Sequence, residues 1–372
     1  MSESMSVEGT HADRLRRLTD DLRTREVDAL LVNALLGVRY LTGFTGTHGL
    51  ALVAAEPPAE HRFFTDFRYA TQSAEQVAAT YEREIVAGEL LEAAVSSLDA
   101  IGGRLGFDDA SVTVVQHARL RELLEDRWEL VGCAGAVERL RAVKDAEEVA
   151  RIRAASELAD EALRAVLEDG VVGRTERDVA IALELRMRRL GADAASFPSI
   201  VAAGAHGALP HAEPRDEPIP RDVLLTIDWG ALHEGYCSDC TRTYATGEHI
   251  SEEARRVYEL VLDAQRQGIA AVKAGPNGKE VDAIARAVIE QGGHGEQFGH
   301  GLGHGVGMEV HEGPRLSRTA GEEPLQVGNV VTVEPGVYLP RVCGVRIEDL
   351  LVVTEQGSDI LTALPKELTV VS

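Results

Sequence analysis

The sequence predicts a protein of mixed α and β structure in two domains. An α/β domain fills the first third, and an α+β domain built from two similar halves fills the rest. Three observations carry that expectation. A length of 372 residues exceeds what a single hydrophobic core usually organises. Helical and β-branched stretches alternate through the first third, as around a central sheet. Past residue 140, a helix pair, a Gly/His-rich loop and an acidic strand region follow one another twice, about a hundred residues apart.

The elements follow in order. Residues 1–11 read as a polar, disordered leader. ALLVN (29–33), GLALVAA (49–55) and HRFFTDF (61–67) read as strands. SAEQVAATYEREI (73–85) and HARLRELLEDRWEL (117–130) carry apolar residues every three or four positions and read as amphipathic helices. The domain boundary falls near residues 135–145, giving a first domain of 12–137 and a second of 138–372. There CAGAVERLRAVKDAEEVARIRAASELADEALRAV begins a long, charged helix. Helices are expected at about 146–169 and 174–190, and again at about 252–273 and 279–291. Ser251-Glu-Glu and Thr175-Glu-Arg-Asp have the polar, acidic start of helix N-termini. The paired segments make the second domain an internal pseudo-twofold duplication.

Composition narrows the function. Hydrophobic residues at 44% and charged residues at 27% describe a folded globular chain. With 38 basic and 61 acidic side chains the formal charge is −23, which disfavours a nucleic acid or an anionic membrane as partner. Only Lys144, Lys273, Lys279 and Lys366 represent lysine, a bias that reflects genome composition or mild salt adaptation. No apolar run reaches membrane-spanning length, and the start of the chain lacks an apolar signal-peptide segment. Four cysteines are too few for a disulfide framework. The expected location is the cytoplasm.

The chemistry concentrates in the second domain. Asp228 closes the run VLLTID, Asp239 lies within YCSDCTRTY, Glu334 follows VVTV and Glu348 ends GVRIE. Each alone would ordinarily face water, because an unpaired charge in a core is too costly. Four at strand ends are also reconciled if they face one another around cations. His300, His304 and His311 fall in FGHGLGHGVGMEVHEGP, and His211 in ALPHAEP. The glycine density around His300 and His304 excludes a stable helix and predicts an extended stretch whose backbone lies close to something. Its spacing does not match a dinucleotide-binding fingerprint. Carboxylates with one histidine suit a divalent ion such as Mn²⁺ or Co²⁺. Bridging carboxylates would let the set hold two ions roughly 3.5–4 Å apart, an arrangement for metal-assisted hydrolysis. Cys237 and Cys240 form C-x-x-C, but in β-prone text rather than at the strand-to-helix turn of a redox site. No serine sits in a nucleophile elbow.

The stretches LTIDWGALHEGYCSDCTRTY, GHGVGMEVHEGP, VTVEPGVY and GVRIED resemble the pita-bread metallopeptidases, in the branch of prolidases and X-Pro aminopeptidases. GVRYLTGFTGTHGLALV and FFTDFRYATQ resemble the creatinase-type N-terminal domain of that branch. The fold implied is α+β, with a pita-bread C-terminal catalytic domain behind an α/β creatinase-like N-terminal domain. The resemblance implies that Asp228 chelates one metal ion, that Asp239 and Glu348 bridge two, and that His304 and Glu334 complete the second site. Mn²⁺ is the expected ion, with Co²⁺ or Zn²⁺ as alternatives. His211 and His311 match the histidines that position substrate and stabilise the tetrahedral intermediate. His300 matches a contact for the bound peptide, and Arg346 supports the carboxylates.

The activity implied is hydrolysis of an Xaa-Pro bond in small proline-containing peptides by a metal-bridging hydroxide, with Glu334 as proton shuttle. Arg315, four residues after His311, matches the arginine that binds a dipeptide's C-terminal carboxylate, so an Xaa-Pro dipeptidase is expected. An X-Pro aminopeptidase acting on longer peptides is the alternative, and a surface arginine balancing the acidic shell is the other reading of Arg315. The metal-free creatine-hydrolysing relatives and the non-catalytic ones lack part of the five-ligand set, and methionine aminopeptidases lack the N-terminal domain. Members of the branch are typically homodimers.

Overall fold

The computed structural model describes residues 7–57, 60–98 and 102–372, in two compact units, Met1–Arg141 and Ala142–Ser372. The expected leader overlaps helix α1 (Val7–Thr24), and its first six residues lie outside the described residues. The expected boundary after residue 137 falls inside α6 (Ala136–Ala142), because that short helix runs through the division.

The first unit is an α/β domain. Its strands are β1 (Ala29–Val32), β2 (Leu50–Ala54), β3 (His61–Thr65), β4 (Tyr81–Ile85), β5 (Gly103–Phe107) and β6 (Trp128–Gly132). They form one sheet in the order β4-β3-β2-β1-β5-β6. Helices α2 (Leu35–Thr42), α3 (Ala70–Gln76), α4 (Leu90–Ser96) and α5 (Val114–Leu124) alternate with them. Leu31, Leu52, Phe64, Leu105 and Leu120 lie in its core.

Two helical expectations need correction here. Ser73–Ile85 is helical only to Gln76 and then becomes β4, and His117–Leu130 is helical only to Leu124 before β6 begins. Both strands lie at sheet edges. In β4 only Tyr81 is buried and Glu82, Arg83, Glu84 and Ile85 are exposed, so the inside-outside alternation that marks a strand is missing. Edge charges of this kind also discourage pairing with foreign strands.

The second unit repeats one plan. In its first half α7 (Ala146–Glu168) and α8 (Glu176–Leu190) precede β7 (Ala194–Ala195), β8 (Ile200–Ala203), β9 (Leu224–Trp229), β10 (Ala231–His233), β11 (Tyr236–Cys237) and β12 (Cys240–Ala245). In its second half α9 (Glu252–Ala271) and α10 (Gly278–Gln291) precede β13 (Gly303–Gly305), β14 (Glu312–Leu316), β15 (Val330–Val333), β16 (Gly336–Leu339), β17 (Cys343–Arg346), β18 (Asp349–Val353) and β19 (Ser358–Ile360). The antiparallel set β8-β9-β12 corresponds to β13-β15-β18. The connections match as well, since β10 and β11 pair between β9 and β12, and β16 and β17 pair between β15 and β18. Each half has its own apolar core, with Leu163, Val179, Leu183, Ile227 and Trp229 in one and Val261, Val281, Ile289, Val333 and Leu351 in the other.

Local signals explain the helix starts. Thr175 Oγ1 accepts from Asp178 N and Ser251 Oγ from Ala254 N, as their positions predict. The long charged helix begins where expected, at Ala146, because Asp145 caps it by accepting from Glu147 N and Glu148 N; the short helix α6 precedes it.

Behind the sheets, Arg242 of β12 is 1% exposed. It donates to Asp349 Oδ1 and Leu364 O at 2.7 Å each, and also to Glu348 O. Gln265 and Lys366 donate to the other Asp349 oxygen. Breaking a buried pair strands its partner, so Arg242→Met should destabilise the protein by about 3–5 kcal/mol. The urea midpoint of metal-free protein reads this; an unmoved midpoint would mean that Gln265, Thr362 and Lys366 satisfy Asp349 without it.

Candidate active site

The duplicated plan turns four carboxylates toward one another. Asp228 is the penultimate residue of β9 and Asp239 immediately precedes β12, while Glu334 immediately follows β15 and Glu348 immediately precedes β18. Each half therefore contributes two acids from the ends of neighbouring strands. His304 joins them from β13, which is built from Gly303-His304-Gly305. The glycines there are required by space. A Cβ on Gly303 would lie 2.0 Å from the Thr332 carbonyl oxygen, and one on Gly305 2.1 Å from that of Gly313. The extended, closely approached backbone expected for this stretch is what the strand provides.

The cluster is held by neutral hydroxyls and one cation. Thr241 Oγ1 donates to Glu348 Oε2 at 2.7 Å, and Thr332 Oγ1 to Glu334 Oε1 at 3.2 Å. Arg346, fully buried, donates from Nη2 to Asp228 Oδ2 at 2.6 Å and from Nη1 to Tyr338 Oη at 2.8 Å. His304 donates from Nδ1 to Gly305 O at 3.0 Å. That directs Nε2 to Glu334 Oε1 at 3.2 Å and Asp239 Oδ2 at 3.6 Å.

The electrostatics are those of an uncompensated acidic cluster. Burial, then the charges of Glu348 and Asp228, push the Asp239 carboxyl well above its ordinary range. Burial and Glu334 do the same to Glu348. Asp228 also rises, through burial opposed by Arg346. Glu334 departs from the pattern: burial raises it, but the His304 hydrogen bond and charge pull it down to about 2. Four carboxylates beside Arg346 and the His304 imidazole cannot all stay ionised at such close quarters without further positive charge.

Divalent cations fit that requirement. Donor atoms of Asp239, His304 and Glu348 lie within 4.8 Å of one another. Asp228 Oδ1 is buried with no hydrogen-bond partner among the described residues, as expected of an oxygen that serves as a ligand. The His304 tautomer, fixed by a backbone carbonyl, is the arrangement of a metal-binding imidazole.

A cavity of about 490 Å³ opens above the cluster. Asp228, Asp239, His300, His304, His311, His211, Glu334, Arg346 and Glu348 all line it, with Phe197, Pro198, Ile200, Pro214 and Val310 on its apolar side. The His311 ring lies 4.3 Å from that of His304, and burial together with His304 lowers its proton affinity. His300 donates from Nδ1 to Gly301 O at 2.8 Å and accepts at Nε2 from Tyr338 Oη at 3.0 Å. His211 stands exposed on a turn at the rim. Arg315 is the exception. Its side chain is exposed on β14 and does not line the cavity, although its charge acts on His311.

Several supporting residues had no sequence signal. Tyr338 reads as an ordinary strand tyrosine, and Thr241 and Thr332 as β-branched strand residues. Asp282 and Arg286 read as a surface ion pair on α10, yet both are buried. Asp282 accepts from Leu302 N, and Arg286 donates to Phe298 O and His300 O, so the pair holds the backbone of the glycine-rich loop. Cys237 and Cys240 lie on β11 and β12, buried and not joined in a disulfide.

Paired strand ends that bury acids around one imidazole, beneath a pocket with one apolar side, define a metal-dependent hydrolase. Comparison with known proteins narrows the class. The model of metallopeptidase family M24 matches residues 150–355, and that of the Creatinase/Prolidase N-terminal domain matches residues 14–143. The chain is 43% identical over 359 residues to the peptidase YqhT of Bacillus subtilis, covering 96% of this chain and 99% of the other. The structure of Xaa-Pro dipeptidase from Bacillus anthracis superposes with a TM-score of 0.91 at 36% identity, covering 97% and 99%. That of X-Pro aminopeptidase from Thermotoga maritima gives 0.86 at 35% identity, covering 96% and 100%. The chain belongs to metallopeptidase family M24, in its prolidase and X-Pro aminopeptidase branch, with a creatinase-type N-terminal domain and a pita-bread catalytic domain.

The acidic cluster generates a prediction of opposed signs. Asp239→Asn removes one buried like charge, so chelator-treated protein should unfold at a higher temperature than the parent. The same change should weaken Mn²⁺ binding at least about tenfold, and with it the thermal stabilisation that added Mn²⁺ confers. A parent-like response to Mn²⁺ would show that Asp239 is not a ligand.

Proposed function

We propose that this metallopeptidase cleaves the Xaa-Pro bond of dipeptides at a dinuclear divalent-metal site. The observation that carries the reading is the convergence of Asp228, Asp239, His304, Glu334 and Glu348 at the floor of a cavity with one apolar side and with His211, His300 and His311 in its lining. Asp228 would chelate one ion, Asp239 and Glu348 would bridge, and His304 and Glu334 would complete the second site. Carboxylate oxygens with one imidazole nitrogen suit Mn²⁺, with Co²⁺ or Zn²⁺ as alternatives. When bound, the pair supplies Lewis acidity toward the scissile carbonyl and an activated water.

The chain's own residues do the rest. Glu334, steadied by Thr332 and His304, passes a proton to the proline nitrogen as the bond breaks. His311 and His211 donate hydrogen bonds to the carbonyl oxygen as charge develops on it. His300, oriented by Tyr338, contacts the peptide. Arg346 keeps Asp228 aligned. The apolar wall from Phe197 to Ile200, with Pro214 and Val310, accepts the rigid proline ring and keeps water from the reacting bond.

Arg315 is the proposed anchor for a dipeptide's C-terminal carboxylate. Its exposed side chain, outside the cavity lining, favours a second reading in which the enzyme is an X-Pro aminopeptidase for longer peptides. We further infer a homodimer in the cytoplasm. Its support is the branch to which the chain belongs, together with four buried cysteines that form no disulfide. Among the described residues no helix is long and apolar enough to cross a membrane.

Hydrolysis of an Xaa-Pro dipeptide and of the same peptide extended by one C-terminal residue, by protein stripped with chelator and reloaded with Mn²⁺, separates the readings. A dipeptidase should favour the dipeptide and lose that preference in Arg315→Ala. Equal or faster cleavage of the tripeptide would make the enzyme an aminopeptidase, and cleavage of neither would overturn the Xaa-Pro reading. In the Mn²⁺-loaded enzyme, His311→Ala should lower kcat about 10²–10³-fold, as loss of an oxyanion donor does, while bound metal measured by elemental analysis stays unchanged.

A further inference from the structure

Glu176, the first residue of α8, is 1% exposed. An acid at a helix start is ordinarily a solvated side chain that gains about 0.3–1 kcal/mol from the helix dipole. Nor is this one needed to cap α8, because Thr175 does so. Burying a carboxylate is costly unless its lone pairs are filled, and here they are filled from one loop.

That loop runs from Ala203, at the end of β8, to Arg215. At its near end Ala203 N donates to Glu176 Oε1 at 2.9 Å, and His206 Nδ1 to Oε2 at 2.8 Å. At its far end Arg215 donates to Oε2 from its backbone N at 3.0 Å and from Nε at 3.2 Å, and to Oε1 from Nη2 at 3.3 Å. The first backbone amides of α8 add to the far end, with Glu176 N donating to Glu217 O and Arg177 N to Arg215 O. Between these anchor points, Arg346 Nη1 donates to Pro210 O at 3.2 Å. The adjoining residue is His211, exposed on its turn at the cavity rim.

We propose that Glu176 is a positioning residue for the reaction: its carboxylate ties both ends of the 203–215 loop and so holds His211 over the cavity. The inference rests on the reading of His211 as a donor to the scissile carbonyl. Glu176 touches neither the acidic cluster nor the cavity, so its effect passes through the loop. A displaced donor costs rate even when it is still present.

The test uses full-length, Mn²⁺-loaded Glu176→Ala and Glu176→Gln, with Arg215→Ala loosening the far end only, since it removes the guanidinium bonds and leaves the backbone N–H on Glu176. Hydrogen exchange should accelerate across 204–215 in each variant while β9, β12, β15 and β18 stay protected. Unchanged exchange in the loop would overturn the tie. With bound metal unchanged, kcat should fall about tenfold or more in Glu176→Ala, KM should change little, and Glu176→Gln should fall between. In Glu176→Ala/His211→Ala the loss should not exceed that of His211→Ala alone, because both changes remove the same contact. Multiplying losses would overturn the coupling to His211. If His211→Ala itself leaves kcat unchanged, the role given to His211 fails, and with it the link to the reaction, whereas loop exchange still decides the tie.

Discussion

Repulsion among four clustered carboxylates is the constraint around which the second unit is organised. Asp239 and Glu348 are buried and Asp228 and Glu334 half-buried at the floor of one cavity, with Arg346 and the His304 imidazole beside them. Such a cluster is unfavourable for the folded chain by itself and becomes tolerable in the presence of concentrated positive charge. The surrounding structure must therefore hold the acids together against their own field. It does so with rigid antiparallel strands, threonine hydroxyls and Arg346, and with a second buried network around Arg242 and Asp349 that secures the backbone behind Glu348. Metal binding converts this stored repulsion into affinity, so binding and folding are linked.

The duplication explains how a chain can build such a cluster. Each half delivers two acids from a pair of neighbouring strands joined through a hairpin, β10-β11 in one half and β16-β17 in the other. Beyond the acids, the halves have diverged. The second contributes His304, His300 and His311, and the first contributes the His211 loop. Yet each half fastens its Gly/His loop through a carboxylate in the early part of its second helix. Asp282, with Arg286, grips residues 298–302, and Glu176 grips the ends of 203–215. Glycine-rich loops carry little intrinsic order, and these inward-facing acids supply it from outside.

Much of this was legible before the fold was known, for a physical reason. A carboxylate at the end of an apolar strand, or histidines spaced among glycines, conflicts with local rules of burial and propensity, and such conflicts concentrate at working sites. Asp228, Glu334, Glu348 and His304 could be singled out on that basis. Glu176, Asp282 and Arg286 conflict with nothing locally: each is an ordinary charged residue near the start of a helix, and only the packing of distant segments makes it buried. The same limit hid β4, where Glu82-Arg83-Glu84 at an open sheet edge carries no alternation to read. Arg315 shows the converse, since sequence position suggested a place at the cavity and its side chain lies outside the lining.

The cysteines have a practical consequence. Cys133, Cys237, Cys240 and Cys343 are all buried and none is joined in a disulfide, and burial raises the thiols of Cys133, Cys240 and Cys343 above their ordinary range. Thiolate is the form that alkylating reagents attack, so the native fold offers them almost nothing. A single cysteine introduced on an exposed position, such as the rim of the 203–215 loop, would therefore be the one labelled by a fluorophore or spin probe. The enzyme is in effect a cysteine-silent scaffold, on which loop motion can be followed without first rebuilding its core.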